Sequence, residues 1–286
     1  MLQYNTFYDF TSNYNNAKYV VFGVPFDNTS TFRSGSRWAP DIMRKMCYNF
    51  ESYDNNYDLN MNELKVFDAG NISPSSSVLD TIDEIYLEVS SIVNDKKIPI
   101  MIGGEHSLSY GSIKACSKYY HDSIWIITLD AHLDMKDEYC GIQHNHACVS
   151  RNIYDHITKN YILVGVRSGT KEEWDFIKKN NILYITNEDI KNKGIKSILL
   201  KIFNKIKDNN VYLSIDMDVL DPIYCSGVGN PEPFGIHPND LRYIIQSLSK
   251  KIIGMDIVEV TPEYDNNFSA ILATKLLREY LYSSNL

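Results

Sequence analysis

Short runs of apolar, mostly β-branched residues recur along the chain, at Tyr19–Val24, Lys65–Asp68, Ile98–Ile102, Ser123–Leu129, Tyr161–Val166, Ile182–Ile185, Val211–Ile215 and Ile252–Ile257. Most are apolar at nearly every position, as strands covered on both faces are. Between them, helical patterns predict helices at Pro40–Cys47, Val78–Asn94, Leu108–Ser117, Lys171–Lys178, Asn187–Lys205, Pro238–Ser249 and Ser269–Tyr282. Strand and helix alternate throughout, which predicts an α/β protein with a parallel sheet and helices on both faces. No repeat, low-complexity tract or Pro/Gly/Ser-rich linker divides the chain, so residues 1–286 read as a single domain. Such sheets bind ligands at the carboxyl ends of their strands, and the polar clusters of this sequence fall there.

Composition narrows the function. The chain has 286 residues, 44% of them hydrophobic, enough for one large core. Its net charge is −8 and it has no long basic run, which argues against nucleic-acid binding and suits a cationic ligand. No apolar stretch approaches the roughly 20 residues of a membrane span. The N-terminus lacks the basic start and apolar run of a secretion signal. The five scattered cysteines form no Cys-x-x-Cys pair and read as reduced thiols of a cytoplasmic protein.

Three apolar strands each end in histidine and acidic residues. The first runs from Ile98 to Gly103-Gly-Glu-His106, the second from Trp125 to Asp130-Ala-His132-Leu-Asp134, and the third from Val211 to Asp216-Met-Asp218-Val-Leu-Asp221-Pro222. In extended backbone, residues two apart share a face, so Asp130, His132 and Asp134 converge if the chain stays extended, as do Asp216 and Asp218. Carboxylates crowded at buried strand ends are costly unless cations neutralise them. Any one cluster is matched by ordinary turns and caps; three, each after its own buried strand, are not. Four aspartates and two histidines without a thiolate suit divalent ions of octahedral preference, manganese first. Two such ions and a hydroxide between them leave the cluster about one charge negative, which favours a cationic substrate and a water activated at neutral pH.

These segments, in this order, resemble the three signature blocks of the ureohydrolase (arginase/agmatinase) family. Asp256-Ile-Val-Glu259-Val-Thr-Pro262 resembles a fourth, and Gly23-Val-Pro25-Phe-Asp27 with Gly35-Ser-Arg37-Trp-Ala-Pro40 resembles the family's opening. The likeness spans Tyr19 to Leu277. It implies a three-layer arginase-like fold with a roughly eight-stranded parallel sheet, and two Mn²⁺ per subunit. One ion would be held by His106, Asp130, Asp134 and Asp216, the other by Asp130, His132, Asp216 and Asp218. His146 matches the family's proton-shuttling histidine, with His144 as the alternative; Asn145 stands where relatives have serine. Glu259 matches the glutamate that grips the guanidinium, a planar fork of donors suited to a carboxylate. Thr261 replaces the usual asparagine and is expected to loosen the loop holding Glu259.

Gly227 to Gly235, with Pro231-Glu-Pro233, resembles the agmatinase pattern more than the arginase one, and the arginase loop for an amino-acid head is missing. Agmatine is therefore the expected substrate, a small guanidino cation. N-aminopropylagmatine, guanidinobutyrate, arginine and formiminoglutamate are the alternatives. Asp137 and Glu138 are expected to attract its ammonium tail, and Phe234, where relatives have glycine, to reshape the pocket entrance. The resemblance implies a homotrimer or hexamer. A deacetylase of related fold holds a single zinc and lacks the counterparts of His106 and Asp134. A phosphohydrolase lacks its Gly-rich loop with lysine here. A non-enzymatic relative is expected to lose ligands that this chain keeps.

Overall fold

The computed structural model describes residues 6–121 and 123–286. The strands are β1 (Tyr19–Gly23), β2 (Tyr53–Asp54), β3 (Leu59–Asn60), β4 (Val66–Asn71), β5 (Ile98–Ile102), β6 (Trp125–Leu129), β7 (Tyr161–Val166), β8 (Leu183–Thr186), β9 (Val211–Asp216) and β10 (Ile252–Val258). β2 and β3 form a small antiparallel ribbon. The other eight form one sheet in the order β4-β1-β5-β10-β9-β6-β7-β8, with every pairing parallel.

The helices are α1 (Ala39–Met46), α2 (Val78–Asn94), α3 (Ser109–Tyr119), α4 (Val149–His156), α5 (Lys171–Lys179), α6 (Asn187–Lys193), α7 (Ile195–Ile206), α8 (Pro238–Leu248) and α9 (Phe268–Ser283). Successive strand residues point to opposite sides and build two cores. Tyr19, Val21, Ile100, Ile127, Leu213 and Ile215 pack with Met43 of α1, Ile202 of α7, Ile244 of α8 and Leu277 of α9. Val20, Phe22, Met101, Ile126 and Tyr212 pack with Ile85 of α2, Ile113 of α3, Ile153 of α4 and Ile177 of α5. Each fully buried aliphatic side chain contributes about 1.5–3 kcal/mol, which is why the strands read as unbroken apolar runs.

Two elements depart from the sequence pattern. The helix expected over Asn187–Lys205 is two helices, because Gly194 takes a positive φ of 76° that ends α6 at Lys193. α4 is not marked by the sequence pattern; it is short, with three buried apolar residues, Val149, Ile153 and Tyr154. Among the described residues no helix is long and apolar enough to cross a membrane.

The chain leaves the middle of the sheet after β5 and resumes at β6, three positions away, and β9 and β10 later fill the gap. The four central neighbours β5, β10, β9 and β6 therefore end side by side, and His106, Glu259, Asp216 and Asp130 lie at or just beyond those ends.

Candidate active site

A cavity of about 410 Å³ opens over these strand ends, lined by His106, His132, Asp134, His146, Asp216, Asp218, Glu232 and Glu259 among others. After β5, Gly104 lies so close to the Phe26 carbonyl that a Cβ there would sit 1.7 Å from its oxygen. The close approach seats a short 3₁₀ turn, His106–Leu108, whose first residue is buried. The His106 Nδ1 lies 3.2 Å from Asp130 Oδ2, 3.3 Å from Asp134 Oδ2 and 3.2 Å from Asp216 Oδ2. Its Nε2 lies 3.1 Å from Ser214 Oγ, which donates to Asp256 Oδ1 at 2.7 Å. With its own proton committed to Asp256, Ser214 accepts from Nε2–H and leaves the Nδ1 lone pair facing the carboxylates.

Beyond β6, the segment does not stay extended as expected. Asp134 takes a φ of 50°, a left-handed conformation that turns its carboxylate toward His106. His132 turns the other way, its Nδ1 2.9 Å from Asp218 Oδ2 and 3.6 Å from Asp130 Oδ1. Asp216 ends β9 and Asp218 lies in the following 3₁₀ turn, where its backbone N–H donates to Asp216 Oδ1 at 2.9 Å.

Two ligand sets result: His106, Asp130 and Asp216, and Asp130, His132 and Asp218, each with donor atoms within 4.8 Å of one another. Asp130 belongs to both. The buried His106 Nδ1 and Asp130 Oδ2 have no hydrogen-bond partner among the described residues, and both face the same point. Imidazole nitrogen with carboxylate oxygen, unpartnered and convergent, fits a divalent cation.

Glu259 follows β10 with a φ of 62°, a strained conformation for a residue with a side chain. Its backbone N–H donates to the Gly104 carbonyl at 2.8 Å, and its Oε1 accepts from the His106 N–H at 2.8 Å. A Cβ on Gly229 would come within 2.6 Å of its Oε2, so a larger residue there would displace this carboxylate. Burial and the neighbouring charge of Glu105 push its carboxyl up to about 8. Thr261 is buried; its backbone N–H donates to the Gly227 carbonyl at 2.7 Å, while its hydroxyl has no hydrogen-bond partner among the described residues.

His146 opens a 3₁₀ turn that Asn145 caps by accepting from the Ala147 N–H at 2.9 Å. It faces the cavity, whereas His144 packs edge-on against Tyr110. Burial pulls the His146 imidazole down to about 4. Asp137 and Glu138 are exposed and do not line the cavity; Asp137 instead lies 3.8 Å from Arg151. The acids of the outer cavity are Glu173 and Glu232. Glu173 is committed to Lys136 Nζ and the N–H groups of Met135 and Thr170. Phe234 is 79% exposed and lines an adjoining cavity with Trp174, not this one.

Arg167, after β7, carried no signal in the sequence. Its guanidinium donates to the carbonyls of Gly165, Asp218, Val219, Leu220, Glu232 and Pro233. It thereby ties the Asp218 turn to the loop that forms the cavity wall.

The acids of this cluster set an unusual pH dependence for the cation-free protein. Burial and the Asp130 charge raise Asp134 to about 7, burial and the Asp218 and Asp130 charges raise Asp216 well above the carboxylate range, and Glu259 is also raised. Such groups stabilise the fold below their unfolded pKa of about 4, and that stability is lost as pH rises through the folded values. His106 and His132 are raised by their carboxylate partners, despite burial, and act in the same direction. Chelated protein is therefore expected to melt at least about 5 °C lower at pH 8 than at pH 5. A divalent cation is expected to restore it, with a gain that grows with pH. Thermal denaturation at several pH values, with and without cation, checks this; equal melting temperatures in chelator contradict it.

A parallel sheet with buried imidazole and carboxylate ligands converging at its carboxyl ends defines a class, the metal-dependent hydrolases of α/β architecture. A family model described as "Arginase family" matches residues 17–282. The agmatinase of Pyrococcus horikoshii is 36% identical over 91% of this chain and 90% of its own. The N(1)-aminopropylagmatine ureohydrolase of Thermococcus kodakarensis is 35% identical over 91% and 88%. The crystal structure of the agmatine ureohydrolase of Thermoplasma volcanium superposes with a TM-score of 0.93 at 39% identity, over 98% of this chain and 94% of that one. The chain belongs to the arginase family and is an enzyme that hydrolyses guanidino C–N bonds.

Proposed function

We propose that this enzyme hydrolyses agmatine to urea and putrescine, using two Mn²⁺. His106, Asp130, Asp134 and Asp216 would hold one ion; Asp130, His132, Asp216 and Asp218 the other. The observation that carries this reading is the single cavity that brings both ligand sets together with Glu259 and His146. Such a metal pair, when bound, makes hydroxide available at neutral pH and stabilises negative charge on the attacked carbon's substituents. Glu259 accepts from the guanidinium and orients its carbon over the ligand cluster, and the cation in turn favours the ionised carboxylate. His146, neutral at pH 7 and facing the cavity, takes up a proton and delivers it to the departing amine.

For the ammonium tail, the structure favours Glu232 over the two acids first expected to hold it. Glu232 lines the cavity, and Arg167 holds only its carbonyl, leaving the carboxylate for a ligand. Glu232→Gln is expected to raise KM for agmatine about tenfold, roughly 1.4 kcal/mol, with kcat within about twofold. It is expected to leave guanidinobutyrate, whose tail is anionic, no worse a substrate. An unchanged KM for agmatine removes Glu232 from this role.

N-aminopropylagmatine is the second reading. Glu232 also borders the adjoining cavity lined by Val166, Trp174, Glu188 and Phe234, which lies in reach of a longer polyamine tail. Urea release from agmatine, N-aminopropylagmatine, guanidinobutyrate and arginine, measured side by side on Mn²⁺-loaded protein, tests the proposal. Preference for agmatine supports it, preference for the longer substrate transfers the assignment to the second reading, and no urea from any of them overturns both.

A further inference from the structure

A buried chain of hydrogen bonds runs from Glu105 through Thr29 to His146 and lies outside both ligand sets. Thr29 sits in the loop after β1, where no motif marks it, and is buried. Its N–H donates to Glu105 Oε2 at 2.7 Å and its hydroxyl to Glu105 Oε1 at 2.5 Å. Ser107 Oγ donates to the same Oε1 at 2.5 Å. Three donors therefore point at one fully buried side chain, two of them at Oε1 and one at Oε2.

A hydroxyl has one proton and two lone pairs. The Thr29 proton goes to Glu105, so its oxygen can only accept from anything else. One lone pair takes the His146 backbone N–H at 3.2 Å, and the other faces His146 Nδ1 at 3.4 Å. His146 Nδ1 then carries the proton, and Nε2 is left with its lone pair as an acceptor. Nε2 lies 3.3 Å from the hydroxyl of Thr31, which also lines the cavity.

We propose that Thr29 is a positioning residue whose hydroxyl, oriented by Glu105, holds His146 in the Nδ1–H tautomer and presents Nε2 to the substrate. This rests on the reading of His146 as the residue that exchanges a proton with the leaving amine. Nε2 takes a proton during attack and returns it to the amine nitrogen as its bond to carbon breaks, while Nδ1–H stays with Thr29 throughout. Glu105, next to a metal ligand in sequence, acts through Thr29.

The test has a spectroscopic and a kinetic arm, both on the full-length chain. In metal-free protein with ¹⁵N-labelled histidine at neutral pH, His146, assigned by the spectrum of His146→Asn, is expected to show a protonated Nδ1 and an unprotonated Nε2. In Thr29→Val, close in shape but without the hydroxyl, the two nitrogens are expected to shift toward a mixture of tautomers. On the Mn²⁺-loaded enzyme that variant is expected to lose about 10–100-fold in kcat for agmatine, with KM within about twofold. The acid limb of its pH profile should move, and Thr29→Ser should restore both kcat and profile. A wild-type His146 protonated on Nε2 overturns the proposal. So does a folded Thr29→Val, verified by melting temperature and metal content, with unchanged tautomer and kcat. If Thr29→Val fails to fold, the wild-type spectrum and Thr29→Ser decide the matter alone. A wild-type enzyme that shows the expected tautomer but releases no urea overturns the assigned function and leaves the hydrogen-bond chain standing.

Discussion

Asp130→Ala is expected to lose bound metal at both positions and to fall at least about 10³-fold in turnover. Asp130 belongs to both ligand sets, lying 3.2 Å from His106 Nδ1 and 3.6 Å from His132 Nδ1 through its two different oxygens. Although burial opposes it, both histidines hold this carboxyl well below the usual carboxylate range, so it is ionised and ready to ligate at neutral pH. Its removal leaves each set with one carboxylate fewer, at a position where a single lost contact near the metal already costs about 10–100-fold in affinity. Asp134→Ala is the contrasting variant. Asp134 faces only His106, so its loss should weaken one ion and spare the other. Metal content by mass spectrometry, with urea release on the same samples, checks both. An active Asp130→Ala enzyme with a full metal complement would sink the two-metal assignment.

Glu259→Gln is expected to lower kcat/KM for agmatine by about 10²–10³, some 2.7–4.1 kcal/mol, without changing metal content. The change preserves shape, so it isolates charge and acceptor capacity. The Oε1 acceptor is engaged by the His106 N–H, and the space beside Oε2 is kept open by Gly229. An amide that keeps its oxygen toward His106 turns its NH₂ toward the guanidinium, donor against donor, and an unpaired buried donor is expensive. Steady-state kinetics and metal analysis together are decisive. Near-normal kcat/KM removes Glu259 from guanidinium binding, and loss of metal instead marks it as a support for the His106 turn.

The legible parts of this protein are those that local chemistry dictates. Most strands of the main sheet were marked by nearly unbroken apolar runs, because strands covered on both faces have no solvent side to record; the edge strand β4, with Ala69 and Asn71 exposed, was marked more weakly. The ligand segments announced themselves for the opposite reason: charges at the ends of such runs are too costly to be accidental. Helix α2 could be read to the residue, since Ser77 caps its start by accepting from the Asp80 N–H. The break at Gly194 was less visible, because apolar residues continue at helical spacing on both sides of it.

The tail-binding acids show where local reading stops. Asp137 and Glu138 lie within four residues of a ligand, yet the left-handed turn at Asp134 carries them to the surface. Glu232, almost a hundred residues further on, takes the place on the cavity wall.

By itself, then, the sequence determined the α/β class, the strands, the residue types at the strand ends and hence the metal-hydrolase chemistry, because hydrophobic periodicity and the cost of buried charge act over a few residues. Only the tertiary structure decided that β9 and β10 fill the gap between β5 and β6, which brings His106, Asp216 and Glu259 onto one cavity, with Asp130 buried beside His106. It also decided which oxygen faces which nitrogen, that Arg167 ties two distant loops through five of their carbonyls, and that Thr29 stands between Glu105 and His146. Those are contacts between segments tens to over a hundred residues apart, set by strand order and close packing rather than by neighbours along the chain.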